Sequence, residues 1–184
     1  QRFVEALVRL FRLEADSQGT MNNVIFGNRE FSHYETVAGG SGASGRGRGS
    51  SGVQVHMTNT AITDPEVLEH RFPVRVERFA IRQGAGGSGK NPGGDGVVRE
   101  YFFEEEVELS LLTQHRESAP LGLARGGPAS PGRQVLINPS GVETELPYAC
   151  TITVPAGSRL RVETPGGGGW GDGFDLTRIV RNLS

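Results

Sequence analysis

The chain has 184 residues, of which 35% are hydrophobic, 22% are charged and 28 are glycine, with a formal net charge of −2. That length suits one domain or a piece of a larger one, and glycine brings the apolar fraction to about half, as in an ordinary globular protein. The composition argues against a disordered charged tail, and the lack of a basic excess argues against a dedicated DNA-binding module. Cys150 is the single cysteine, so no internal disulfide framework exists. No run approaches the ~18 apolar residues of a membrane span, and Gln1-Arg2-Phe3 shows no signal-peptide layout. A reducing, cytoplasmic setting without membrane attachment is expected. The chain starts inside a periodic segment without an initiator Met, so a fragment of a longer protein is expected.

Residues 1–16 read as an amphipathic helix, with Phe3, Leu7, Leu10 and Phe11 on one face. Glu5 and Arg9 make an i,i+4 pair on its wet side, and Ser17-Gln18-Gly19 ends it. Residues 21–26 and 30–37 are strand candidates joined by a Gly27-Asn28 turn. Residues 39–52 are nearly all Gly, Ser, Ala and Arg and predict a long loop. Residues 52–58 look like a strand. Thr63-Asp64-Pro65-Glu66 combines a cap, a proline and an acid, and opens a short helix to His70. A strand over 74–82 follows, in which Phe79 and Ile81 break the register set by Val74 and Val76. A second glycine loop spans 84–96. Short strands are predicted over 97–103, 107–112, 134–137, 151–154 and 159–163, with Pro155-Ala156-Gly157-Ser158 as a hairpin-type turn between the last two. Residues 174–182 suit a closing helix. The fold class is α+β: β-rich, with an N-terminal helix, short helices and long glycine-rich loops.

Several motifs carry chemical possibilities. Gly84-Ala85-Gly86-Gly87-Ser88-Gly89-Lys90 superficially fits two phosphate-binding patterns, but both need the loop to run into a helix. Asn91-Pro92-Gly93-Gly94 follows instead, so a tight connection between strands is the reading. Gly45-Arg46-Gly47-Arg48-Gly49 has no aromatic neighbour and reads as a mobile loop near a pocket rather than a nucleic-acid site. None of the four histidines pairs at a metal-motif spacing. As a strand, Gln54, His56, Thr58 and Thr60 would share one polar face with one possible base. Asp95 sits in a glycine turn, where bonding to its own turn amides is the simplest role. Cys150 reads as a packed small thiol.

Together these segments resemble the later half of the hydantoinase B/5-oxoprolinase family. The resemblance is carried, in order, by Ser17-Gln18-Gly19-Thr20-Met21-Asn22-Asn23, by Tyr34 to Ala43, by His56-Met57-Thr58-Asn59-Thr60 with Thr63 to Glu69, by Arg71-Phe72-Pro73-Val74, by Gly93-Gly94-Asp95-Gly96-Val97-Val98-Arg99-Glu100, and by Thr164-Pro165-Gly166-Gly167-Gly168-Gly169-Trp170-Gly171. Residues 1–184 then correspond to the C-terminal part of such a domain. The family often has His-x-His before the Met-Thr-Asn run, where Gln54 stands here, and Gln is a poor ligand for a transition metal. Pro92 replaces an arginine before Gly93-Gly94, and Arg125 interrupts a further glycine run.

The resemblance implies ATP-dependent hydrolytic opening of 5-oxo-L-proline to L-glutamate, within glutathione turnover, in which phosphorylation of the amide oxygen turns it into a leaving group. It places ATP on a separate actin-like ATPase domain or subunit, so this chain alone is expected not to turn over. The candidate catalytic residues are His56 and Asp95, and the candidate substrate contacts are Thr58, Asn59, Arg99, His115 and Arg116. A small-molecule lactam, the ATPase part and a homo-oligomeric full enzyme are the expected partners, with no nucleic acid; metal use is left open. Alternatives are a hydantoinase or ketone carboxylase subunit of the same family, or a non-catalytic β-domain for subunit contact.

Overall fold

The computed structural model describes residues 1–172; the closing helix expected over 174–182 lies outside the described residues. In chain order the elements are α1 (Arg2–Leu10), β1 (Asn22–Gly27), β2 (Ser32–Val37), α2 (Pro65–Arg71), β3 (Val74–Arg82), β4 (Gly96–Phe103), β5 (Val107–Leu112), β6 (Arg133–Ile137), β7 (Glu143–Glu145), β8 (Ala149–Val154) and β9 (Arg159–Glu163). They form two antiparallel sheets, ordered β2-β1-β5-β8 and β3-β4-β9-β6-β7. The α+β, β-rich class expected from the sequence is therefore the class observed.

The core lies between the two sheets. Val24 and Phe26 of β1, Leu109 and Leu111 of β5, and Val154 of β8 face Tyr101 and Phe103 of β4 and Leu160 and Val162 of β9. Alternation places them there, because every second strand residue points to the same face. Phe26 is the hub: its ring meets Tyr101 and Phe103 edge-on at 5.6 and 5.3 Å, the favoured geometry for aromatic pairs. In β3 the ladder slips between Val76 and Arg78, a bulge that explains why Phe79 and Ile81 fall out of register.

Residues 155–158 do not make a hairpin. β8 pairs with β5 in one sheet, whereas β9 pairs with β4 in the other. This turn carries the chain across the core: Gly157 adopts φ +80° and donates to Phe103 O, and Phe103 donates in turn to Ser158 O. The crossing is thus tied to the end of β4.

The glycine segments are not simple surface loops. Residues 39–52, 84–96 and 164–171 lie side by side and bond backbone to backbone: Gly94 N donates to Ser41 O, Gly167 N to Gly94 O, Gly87 N to Gly167 O and Gly40 N to Pro165 O. Gly166–Gly169 are all buried. No side chain fits between these backbones; a Cβ on Gly167 would overlap the Ser41 carbonyl. The Gly45–Gly49 stretch, expected as a mobile loop, belongs to this layer, with Gly49 N bonded to Pro92 O and Gly45 against the Trp170 ring. Arg46 and Arg48 face outward.

α1 is shorter than expected, ending at Leu10. Its apolar face is not covered by the described residues: Phe3 is 79% exposed and Leu10 72%. Arg9 pairs with Asp16 at 2.6 Å rather than with Glu5, and Glu5 accepts from the Ser17 backbone amide at 2.9 Å.

Candidate functional site

β5 ends at Leu112, and the four residues that follow form the most chemically loaded surface among the described residues. His115 takes a left-handed backbone conformation, φ +53°, uncommon for a residue with a side chain. Its Nδ1 donates to Ser118 O at 2.9 Å, which leaves the Nε2 lone pair free to accept a proton. Burial holds its pKa below the usual histidine value, so the ring is neutral at pH 7. The backbone of Gly19 presses on this ring. A Cβ at Gly19 would lie 2.6 Å from His115 Cδ2 and 2.7 Å from Gln114 Oε1.

Arg116 is held by neutral groups throughout. Its Nη1 donates to Asn22 Oδ1 at 3.0 Å and to Gln114 O at 2.6 Å, and its Nε donates to Gln134 Oε1 at 3.3 Å. Nη2 is buried with no partner. Burial, with Arg82 adding repulsion, lowers the guanidinium pKa to about 9.

Two clefts meet at His115. One, of about 480 Å³, is lined by Arg2, Thr20, Arg116 and Tyr148 among others. The other, of about 420 Å³, lies against α1 and includes Glu5, Arg9 and Asp16. Burial pushes the Glu5 carboxyl up to about 7 despite the bond from Ser17. A carboxyl titrating near neutrality and a neutral imidazole therefore wall the same cleft, an arrangement suited to proton transfer. A further cleft of about 570 Å³ over the β1–β2 turn carries only exposed charges, Arg29, Glu106 and Glu108.

The other predicted residues sit elsewhere. Residues 52–58 do not form a strand: one bridge joins Val53 to Gly39 and the chain then turns. The Thr58 hydroxyl accepts from Val55 N and donates to Val55 O at 2.7 Å, closing that turn, a local alternative to a sheet ladder. The shared polar face of Gln54, His56, Thr58 and Thr60 is therefore not formed. His56 itself has φ +54°, a buried unpartnered Nε2, and a pKa lowered by burial. Asn59 is exposed. Gln1 links this turn to the clefts: its side chain accepts from Met57 N and donates to Gly19 O.

Asp95 lies in the glycine layer, where Oδ1 accepts from Gly86 N at 2.7 Å and its amide donates to Ser51 Oγ. Arg99 is fully buried in the core. It bonds Glu35 through Nε at 2.8 Å and Nη2 at 3.3 Å, and donates to Thr63 O. Burial alone would raise the Glu35 pKa, but His33 and Arg99 together hold it below the ordinary value. The structure thus brings His115 and Arg116 together at the clefts. Among the described residues, neither His56, Asp95 nor Arg99 lines them.

Sequence reasoning missed Glu5, Gln114, Gly19 and Gly132. Gly132 packs against Arg116 so closely that a Cβ there would fall 2.7 Å from Cζ. Only His115 and Arg116, just past the apolar strand 107–112, signalled this region in the sequence. Among the described residues no three His, Cys, Asp or Glu side chains converge as a metal site. Several amides of the Gly84–Lys90 loop are bonded within the protein: Ala85 N to Arg82 O, Gly86 N to Asp95, Gly87 N to Gly167 O and Lys90 N to Gly171 O.

The model of the family described as hydantoinase B/oxoprolinase matches residues 1–173. The chain belongs to the hydantoinase B/oxoprolinase family. It is 44% identical over 171 residues to 5-oxoprolinase 1 of Arabidopsis thaliana and 42% identical over 171 residues to the 5-oxoprolinase of Dictyostelium discoideum. Each alignment covers 93% of this chain and 14% of the relative, so the chain spans about one seventh of the length of these curated relatives. Its fold is similar to that of an ATP-dependent caprolactamase from Pseudomonas jessenii, with a TM-score of 0.73 at 22% identity, covering 97% of this chain and 34% of that one.

Proposed function

We propose that this chain is part of an ATP-dependent 5-oxoprolinase, a cyclic amide hydrolase that opens 5-oxo-L-proline to L-glutamate. The identity to two 5-oxoprolinases along almost the whole chain carries this reading. The clefts at His115 support it chemically. An amide is a weak electrophile, so ring opening needs its oxygen activated, a water directed at the carbonyl carbon, and a base to take the water's proton. His115 offers a free Nε2 and is neutral at pH 7; Glu5 offers a carboxyl that changes charge near pH 7. We assign His115 and Arg116 to substrate contact, with His56 acting through the Gln1–Gly19 link. Thr58, Asp95 and Arg99 serve by holding the scaffold.

Activation of the amide by ATP falls to the rest of the polypeptide, an actin-like ATPase domain or subunit. The uncovered apolar face of α1 gives that larger enzyme a surface to bury. A cytoplasmic, homo-oligomeric enzyme of glutathione turnover completes the proposal. The test is ATP-dependent release of glutamate from 5-oxo-L-proline by the complete enzyme. Release of glutamate and phosphate in equal amounts is the expected result; ATP-dependent carboxylation of a ketone with no lactam turnover would refute it.

A further inference from the structure

We infer that Arg116 is the receptor for the carboxylate of a lactam acid and sets the enzyme's preference for carboxylated over neutral lactams. The inference rests on the ring-opening reading above.

Two arginines of this chain are shielded from water to different degrees, Arg99 completely and Arg116 in part. Arg99 is balanced by a carboxylate, Glu35, at 2.8 Å. Arg116 is not: among the described residues no carboxylate pairs with it, and its acceptors are an Asn amide oxygen, a Gln amide oxygen and a backbone carbonyl. The charged group that acts on it is another cation, Arg82, which is itself engaged with Glu163 at 3.3 Å. A charged nitrogen drawn out of water is normally paired. Here the charge is left uncompensated and one donor group, Nη2, has no acceptor at all.

The same contacts make a good receptor. Asn22, Gln134 and the Gln114 carbonyl fix the plane of the fork, and Gly132 lies against it without a side chain. With Nε and Nη1 already donating, Nη2 is the donor left to bond a carboxylate oxygen, held in place by the rest of the planar group. Arg116 walls the 480 Å³ cleft, whose other charged groups are Arg2 and the exposed Glu117. That volume admits a five-membered ring with one carboxylate, and His115 stands beside it.

The test uses the complete enzyme without ATP, as wild type, Arg116→Gln, Arg116→Lys and Gly132→Ala. Calorimetry measures binding of 5-oxo-L-proline, of 2-pyrrolidinone (the same ring without the carboxylate) and of inorganic phosphate. The wild type is expected to favour the carboxylated ring by about 10- to 100-fold, the scale of one charge-assisted hydrogen bond. Arg116→Gln removes that preference by weakening 5-oxo-L-proline binding far more than 2-pyrrolidinone binding, and Arg116→Lys keeps part of it. Gly132→Ala weakens it by forcing the guanidinium aside, and carries the comparison with the Lys variant where the Gln variant does not fold.

A wild type with no preference, or a preference that survives in Arg116→Gln, overturns the inference. So does an equal loss for both lactams, which marks a purely structural arginine, or Arg116-dependent binding of phosphate but not of 5-oxo-L-proline. An Arg116-dependent preference in an enzyme that shows no ATP-coupled ring opening refutes the proposed reaction and leaves the receptor standing. ATP-coupled opening without the preference does the reverse.

Discussion

Replacing Glu35 by Gln tests the polar centre of the core. Glu35 is 4% exposed and accepts from Arg99 Nε, Arg99 Nη2 and the Tyr101 hydroxyl; Arg99 is completely buried. Gln is close in size, so little volume changes. One of the two acceptor oxygens becomes an amide NH₂ aimed at a guanidinium that already has one unpartnered nitrogen, Nη1. The Arg99 charge then stays buried without compensation. Breaking a buried pair from one side costs about 3–5 kcal/mol, against a total stability of about 5–15 kcal/mol for a typical domain. Urea unfolding followed by tryptophan fluorescence and circular dichroism measures the change as a fall in midpoint at constant m. The double replacement Glu35→Leu with Arg99→Met removes both charges and is expected to cost less than Glu35→Gln alone. A Gln variant within about 0.5 kcal/mol of wild type, the range of an inert surface change, would refute the reasoning that this pair is a coupled unit.

Other expectations follow from the same structure. Gly167→Ala drives a Cβ into the Ser41 carbonyl and should leave little folded protein, whereas Gly47→Ala meets nothing within 4 Å and should be neutral; soluble yield and thermal midpoints compare them. Glu35 is depressed in the folded chain, so its stabilisation is complete above its ordinary carboxylate range and is lost as pH falls through the lower folded value. His115 and His56 act in the same direction, their contribution being lost as pH falls below the ordinary histidine range; urea midpoints should drop on acidification. Glu5 has the opposite sign. Its folded value near 7 means that ionisation weakens the fold as pH rises from 4.5 through 7, so Glu5→Gln should stabilise more at pH 8 than at pH 5. The 184-residue chain alone should release no glutamate from 5-oxo-L-proline with ATP, checked by coupled glutamate assay.

Much of the sheet structure was legible in side-chain alternation. The strand over 74–82 is observed as β3, the one over 107–112 as β5 and the one over 159–163 as β9. The pairing was not, because a short turn such as Pro155-Ala156-Gly157-Ser158 looks alike whether it folds a hairpin or crosses between sheets. The glycine segments read as loops because burial is normally inferred from apolar side chains. Here the backbone itself is buried and satisfies its own hydrogen bonds. The 52–58 strand failed because Thr58 gives Val55 a local partner in place of a ladder. Arg99 was read from the Gly93–Glu100 run as a substrate contact, because its actual partner, Glu35, lies 64 positions away. Helical periodicity identified α1 and its apolar face but not whether that face is covered. The clefts at His115 were the least legible feature, since Glu5, Gly19, Gln114 and Gly132 meet only through tertiary contacts.

The most direct test of the account is a structure of the complete enzyme with 5-oxo-L-proline bound. The account predicts the ring in the cleft beside His115, with its carboxylate on the Arg116 guanidinium. A ring bound instead between the His56 turn and the Asp95 glycine layer, with the His115 clefts empty, would contradict it.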